Sequence, residues 1–356
     1  MNSVLTAFHS NQLSFVVLVL LLVSGGLTAQ TREGQLYEVS GTKYLLGTQI
    51  ELKAMHPRVL ECKKAFYDGF QEIARIENLL SSHKKSSEIA AINRQAGIAP
   101  VKVSDETFAI IKRSIAYSAK FGGMFDVSIG PITELWGFNS DKKIAIPDKT
   151  TLNSLLDLVG YENVQMDAQE TTVLLPKNGM RLDLGGIAKG YAIDRCAKIL
   201  KQEGVRHFLV NAGGDIYASG YKFGHEKWLV GVQHPRKPQE LLATFEINDY
   251  AVATSGDYER YAIINGQRYH HIINPKTGFP SKQCQSVTVF AASAEQADAW
   301  ATYLFVIGWR RHRSRSNADT IESLIVDGSG NVHYDPALER TYKLALVDDL
   351  NLSEIK

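Results

Sequence analysis

Apolar positions recur at three- and four-residue spacings in several stretches of the chain, and each such stretch predicts an amphipathic helix. Between residues 60 and 80 the recurring positions are Phe66, Phe70, Ile73, Ile76 and Leu80. A second helix is predicted from Asp105 to Phe121. Ser104 offers the N-cap, Asp105 and Glu106 suit the first turn, and Gly122-Gly123 ends it. Residues 186–203, closed by Gly204, and 294–307, closed by Gly308, give two more. Short apolar runs bounded by Gly, Pro, Asn or Asp predict strands at Phe208–Val210, Trp228–Val232, Ser286–Phe290 and Leu324–Val326. The mixture predicts an α/β or α+β domain with mixed sheets covered by helices, without the regular alternation of a doubly wound fold.

The first 29 residues follow a different pattern. They hold no Asp, Glu, Lys or Arg, and Leu13 to Val23 is apolar except for Ser14. The small-residue stretch Ser24-Gly25-Gly26-Leu27-Thr28-Ala29 comes next. An apolar run too short to span a bilayer comfortably, followed by small residues, predicts a signal peptide over residues 1–29, with an uncleaved anchor as the alternative. The working protein is then expected outside the cytoplasm, periplasmic or held on the outer face of the inner membrane. No repeat and no Pro-rich or Gly/Ser-rich linker divides the remainder, so residues 30–356 are expected to form one domain.

Composition narrows the function. Lys plus Arg is 39 and Asp plus Glu is 38, so the chain carries no electrostatic footprint for wrapping nucleic acid. Cys62, Cys196 and Cys284 make no CxxC pair and no disulfide framework, and read most simply as small buried apolar residues. Neither common nucleotide cradle, GxGxxG after a strand or GxxxxGK[ST], is present.

Candidate chemistry gathers where glycines stand beside acids. Asn211-Ala212-Gly213-Gly214-Asp215, taken alone, reads as a tight turn solvated by its acid. Leu182-Asp183-Leu184-Gly185-Gly186-Ile187-Ala188-Lys189-Gly190 leads from a short strand into a helix whose N-terminus suits an anion. Lys189 reads equally as a phosphate ligand or as a surface lysine. Asp298 and Thr302 share one face of their predicted helix and offer two hard oxygens of the kind Mg²⁺ prefers, or are simply solvated. Tyr269-His270-His271-Ile272-Ile273-Asn274-Pro275-Lys276-Thr277-Gly278 places two histidines before a turn, as a general base or phosphate ligand, or as hairpin support. Ala253-Thr254-Ser255-Gly256-Asp257-Tyr258 is an anion nest or an ordinary turn.

In this order, these segments together with Gly122-Gly123-Met124-Phe125-Asp126-Val127 and Ala297-Asp298-Ala299-Trp300-Ala301-Thr302 resemble the ApbE family of FAD:protein FMN transferases. The resemblance runs from Leu45 to Gly308. It implies a single catalytic domain with its active site in a cleft between two lobes, FAD as substrate and Mg²⁺ as cofactor. It implies transfer of the FMN part onto a threonine hydroxyl of a partner protein, with release of AMP. The partner it suggests is a small exported FMN-binding domain or a subunit of a cation-translocating redox complex. By the same resemblance Asp298 and Thr302 match the side-chain metal ligands and Gly186 the backbone one. Leu46, His83, Gly123, Met124, Phe125, Asp126, Asp183, Lys189 and Ile273 match flavin-nucleotide contacts, and His271 the histidine associated with catalysis.

Three positions depart from the common pattern. Leu46 stands where a methionine is frequent, His83 where a stacking aromatic is frequent, and Asn274 where aspartate is frequent. The basic run Trp309-Arg310-Arg311-His312-Arg313 matches nothing in the family and reads as a solvated face. Two other readings use nearly the same residues: an FAD pyrophosphatase with water as nucleophile, and a protein that binds FAD without turnover.

Overall fold

A computed structural model describes residues 35–138, 144–313, 321–347 and 352–354. The predicted leader, residues 1–29, lies outside the described residues. No helix among those described is long and apolar enough to cross a membrane.

The strands alternate in side-chain direction, and here both directions are apolar. Ile50, Leu52 and Ala54, Phe208 and Val210, Ala251 and Ala253, and Val287 and Val289 all enter one core. Met55, Leu209, Val252 and Phe290, on the opposite faces of those same strands, enter a second core together with Ile216. A sheet buried on both faces must be covered on both. Among the described residues its strands run in the order Tyr37–Leu45, Thr48–His56, His207–Ala212, Asp215–Ser219, Tyr250–Gly256, Cys284–Ala291, Glu322–Asp327, Val332–Tyr334 and Leu352–Glu354. Neighbours are antiparallel except for the last pair.

Helices cover the first face. Val59–Leu80 packs on Ala188–Gln202, which packs on Ala294–Ile307, which lies across strands Tyr250–Gly256 and Cys284–Ala291. A small sheet of Trp228–Gln233, Leu241–Ile247 and Ala345–Leu346 contributes Trp228, Val230, Phe245 and Ile247 to the core on the other face. Cys62, Cys196 and Cys284 are free and buried, as their spacing predicts.

The predicted helices form close to where the pattern places them. They span Val59–Leu80, Asp105–Lys120, Ala188–Gln202 and Ala294–Ile307. Ser104 caps Asp105–Lys120 by accepting the Thr107 N–H, and Ser293 caps Ala294–Ile307 by accepting that of Gln296. Asp194 adds a second cap to Ala294–Ile307, taking the N–H groups of Ala294 and Glu295 at 2.8 and 2.9 Å. Burial lifts its carboxyl to about 6, against the pull of those two donors.

Candidate active site

Several turns end at the same edge of the central sheet. Leu46-Gly47 joins the first two strands, with φ of 55° and 71°, the left-handed pair a two-residue hairpin favours. The Gly213-Gly214 turn lies next to it, because Gly213 donates to the Gln49 carbonyl at 3.1 Å. Strand Tyr250–Gly256 also finishes here, opposite Ser286.

Helix crossing brings the cation-binding candidates to this edge. A Cβ on Gly190 would collide with the carbonyl of Ala294, so only glycine lets helices Ala188–Gln202 and Ala294–Ile307 approach this closely. The close approach lets the Gly190 N–H donate to Asp298 Oδ2 at 3.0 Å. One turn further, a Cβ on Gly186 would lie 3.0 Å from Thr302 Oγ1 and 2.9 Å from the Phe125 ring. Gly186, Asp298 and Thr302 therefore belong to one place, with Phe125 against it. Among the described residues no group of three or more His, Cys, Asp or Glu is arranged around a cation. The candidate set here is instead one carboxylate, one hydroxyl and one carbonyl, all hard oxygens.

The nucleotide-contact candidates are neighbours of that set. Asp183 N–H donates to the Val127 carbonyl at 2.8 Å, and Ile129 bridges Arg181 in parallel, so residues 126–129 and 181–183 run side by side. Asn93, buried, clamps Leu182 in both directions, donating to its carbonyl and accepting its N–H. Asp183 is occupied within the protein. Oδ2 accepts from Thr133 Oγ1 at 2.8 Å and Oδ1 from the Gly185 N–H at 2.8 Å. Asp126 likewise accepts from the Ser128 N–H and hydroxyl and from the Tyr161 N–H. Burial raises its carboxyl despite those donors. Both acids thus shape the turns that carry Gly123, Met124 and Gly186.

His271 joins the candidate site through Arg260 and the charge of Lys189. Its backbone N–H donates to the Arg260 carbonyl at 3.1 Å, and Arg260 Nη2 lies 3.5 Å from where a Cβ on Gly47 would be, which sets Leu46-Gly47 beside this segment. Burial pulls the imidazole down to about 3, with help from the Arg260 and His270 charges, so the ring is neutral at pH 7. Its Nδ1 is shut from water and has no hydrogen-bond partner among the described residues. An orphaned buried nitrogen is costly unless something outside the chain meets it. Ile273, buried, bridges Pro280, and Trp136 Nε1 donates to the Gly278 carbonyl at 2.7 Å, which fixes the turn between them. Lys276 Nζ reaches over Gly123, 2.7 Å from a Cβ position there.

Charge around Lys189 is concentrated. Lys189 Nζ is 2.9 Å from Asp215 Oδ2. Burial disfavours this ammonium, yet Asp215, Glu259 and Asp298 around it outweigh burial and hold its pKa above the ordinary lysine range. Asp298 is pushed well above the ordinary carboxylate range, first by burial and then by the Asp215 charge, with Lys189 opposing. A buried carboxylate beside another carboxylate is a place that favours a cation.

The ApbE family model matches residues 46–325. The chain belongs to the ApbE family. It is 33% identical over 309 residues to the FAD:protein FMN transferase of Treponema pallidum, covering 82% of this chain and 85% of that protein. To the FAD:protein FMN transferase of Klebsiella pneumoniae it is 35% identical over 286 residues, 78% of this chain and 86% of that one. Among solved structures, the ApbE protein of Thermotoga maritima superposes with a TM-score of 0.78 at 33% identity, covering 86% of this chain and 99% of that one. The flavin transferase ApbE of Vibrio cholerae superposes at 0.74 and 29% identity, covering 82% and 94%.

Within this ApbE fold, the residues singled out in the sequence fall into two groups. Leu46, Gly123, Met124, Phe125, Asp126, Asp183, Gly186, Lys189, His271, Ile273, Asp298 and Thr302 lie on segments joined by the contacts above. His83 does not join them through any described bond: it is exposed, and its backbone N–H donates to Ser81 Oγ at 3.2 Å. Sequence reasoning missed Asp215. The turn at 211–215 reads as solvated, whereas Asp215 is 1% exposed and paired with Lys189. Asp257, in the nest candidate, is held by Arg236 through both oxygens at 2.6 and 2.7 Å, and so serves an ion pair. A Gly-Gly-Asp ending one strand and opening the next is the only signal that could have marked Asp215, and it is not specific. In the basic run, Trp309 stacks on His333 with ring centroids 3.9 Å apart while Arg310 and Arg311 are exposed.

Proposed function

We propose that this chain is an FAD:protein FMN transferase that moves the FMN part of FAD onto a threonine hydroxyl of an exported or membrane-bound acceptor protein and releases AMP. The observation that carries the reading is the meeting of Gly186, Thr302 and Phe125, which joins three separated segments around one point beside Asp298 and Lys189. Relatives at 33% and 35% identity are named FAD:protein FMN transferase, which supports the transfer of FMN from FAD to a protein.

The donor set suits Mg²⁺: the Gly186 carbonyl, the Asp298 carboxylate and the Thr302 hydroxyl would hold it. When bound, such an ion neutralises charge developing on a pyrophosphate. The chain's own residues do the rest. Lys189 offers the N–H donors of its ammonium to a phosphate oxygen. His271, neutral at pH 7, accepts the threonine proton as that oxygen attacks the FMN phosphorus and the bond to the AMP oxygen breaks. Negative charge brought by the pyrophosphate raises the imidazole pKa from its low resting value, which favours this step. Apolar cover from Phe125 and Ile273, both buried, limits water, which would otherwise take the place of threonine.

The test is incubation of residues 30–356 with FAD, Mg²⁺ and a candidate acceptor domain, followed by intact mass. An acceptor heavier by one FMN moiety, with AMP released, is the expected result. Free FMN and AMP with every acceptor left unmodified would replace the reading by a pyrophosphatase. FAD recovered intact would leave a binding protein. Export through residues 1–29 is part of the same proposal, and N-terminal sequencing of the protein recovered from the periplasm or membrane fraction checks it.

A further inference from the structure

Lys189 leaves the first turn of helix Ala188–Gln202 on a flexible four-carbon stem, and three carboxylates attract its ammonium: Asp215, Glu259 and Asp298. The structure shows which one holds it. Asp215 opens strand Asp215–Ser219, its side chain is 2% exposed, and its Oδ2 is 2.9 Å from Lys189 Nζ. The other oxygen, Oδ1, accepts the Thr254 N–H at 3.0 Å. That bond continues the sheet by other means. The pairing of Tyr250–Gly256 with Asp215–Ser219 stops at Val252 and Ile216, and the Asp215 side chain takes the next free N–H. Thr254 is held in turn through its hydroxyl, 2.9 Å from that of Thr288 on the neighbouring strand. A carboxylate fixed at one oxygen to a buried sheet cannot follow the lysine; the lysine must come to it.

We propose that Asp215 is a positioning residue, anchoring Lys189 to the central sheet so that its ammonium stays off Asp298 and aims its remaining donors at the substrate pyrophosphate. The nature of that anion rests on the FMN transferase reading, whereas the tether does not. A lysine released from Asp215 has two other carboxylates to attract it, Glu259 and Asp298, and at Asp298 it would compete with a bound cation. Asp215→Asn separates the two effects. It keeps the shape and the acceptor for Thr254 and removes only the charge. A structural lesion lowers everything together. Loss of positioning instead lowers kcat while the KM for FAD stays level or falls, because the cleft has become more positive.

The test uses the full-length chain and two measurements. Acetylation of Lys189 by acetic anhydride, read by peptide mass spectrometry, rises roughly fivefold or more in Asp215→Asn, because an amine outside its ion pair deprotonates more readily. Unchanged reactivity of a folded variant overturns the tether. AMP release from FAD with Mg²⁺ falls about tenfold or more in kcat, the scale expected when a reacting group loses its position. In a Lys189→Met background, Asp215→Asn changes kcat by less than about twofold, because two residues acting through one contact are not additive. An equal loss in both backgrounds, or a raised KM with kcat intact, overturns the proposal. If the wild-type chain does not turn over FAD, the transferase reading falls and Lys189 reactivity alone decides for or against the tether. Should Asp215→Asn not fold, Asp215→Ser carries the same measurements.

Discussion

The two halves of the candidate site stand on different kinds of backbone. Asp298 and Thr302 project from Ala294–Ile307, a helix buried along almost its whole length and capped by both Ser293 and Asp194. His271 and Ile273 stand instead on turns that follow the short hairpin Tyr261–Ile264 and Gln267–His270, which pairs with no other described strand. That side exposes Ile263, Lys276, Thr277 and Phe279. One side has its geometry set by core packing, the other by a few turn hydrogen bonds such as Trp136 to Gly278. Charge that must be held at a fixed spot is on the first side. The more exposed turns are on the second, where local adjustment disturbs little of the core.

Substitutions on each side should therefore fail differently. Asp298→Ala is expected to lose turnover by roughly a thousandfold or more, the scale of removing a principal electrostatic group, with thermal unfolding little changed. Full activity in that variant would remove Asp298 from the site. His271→Ala should cost roughly a hundredfold or more in kcat and much less in FAD affinity, as loss of a general base does. If flavin binding collapses while bound FAD turns over normally, His271 is a binding residue. Gly190→Ala tests the packed side directly. The collision with Ala294 should destabilise the fold by about 1–3 kcal/mol in urea melts, and turnover should fall with it because Asp298 rides on the same helix. At the small end, Asn274→Asp on the turn side should change kcat/KM by no more than about twofold, since Oδ1 can still accept the Lys276 N–H.

Acid sharpens the contrast further. His271 is held at about 3 in the folded chain against an ordinary 6.5, so its contribution to stability is complete above 6.5 and is lost as pH falls towards 3. Urea midpoints taken between pH 7 and pH 4 should fall less steeply in His271→Ala than in the wild type. Equal slopes would show that the imidazole is not sequestered.

Helices were the legible part of the sequence. Residues 294–307 and Ala294–Ile307 coincide, because one capping serine and one terminal glycine bracket the run. The strand hairpin Tyr37–Leu45 and Thr48–His56 was not anticipated: its residues mix Lys, Glu and Thr with apolar positions, and Tyr37–Leu45 is largely exposed. Strands Phe208–Val210 and Ser286–Phe290 were found, but short, since burial on both faces erases the alternation that marks their ends. Of the site, the motif order named segments that the fold brings together, His83 apart. What it could not supply was which acids face one another. Asp183 and Asp298 look alike in the sequence, yet one carboxylate is filled by Thr133 and Gly185 while the other accepts a single N–H. Asp215 was hidden for the opposite reason, since a turn aspartate is usually wet, and only the sheet register shows this one to be enclosed.

The three cysteines bear on where such a protein can mature. Burial lifts the thiol of Cys62 to about 11 and those of Cys196 and Cys284 higher still, so almost none of their sulfur is thiolate at neutral pH. Disulfide exchange proceeds through thiolate, and glutathione, oxidants and disulfide-forming catalysts find no nucleophile to engage in the folded state. Once folded, the three sulfurs are therefore poor partners for disulfide exchange in reducing and oxidising surroundings alike.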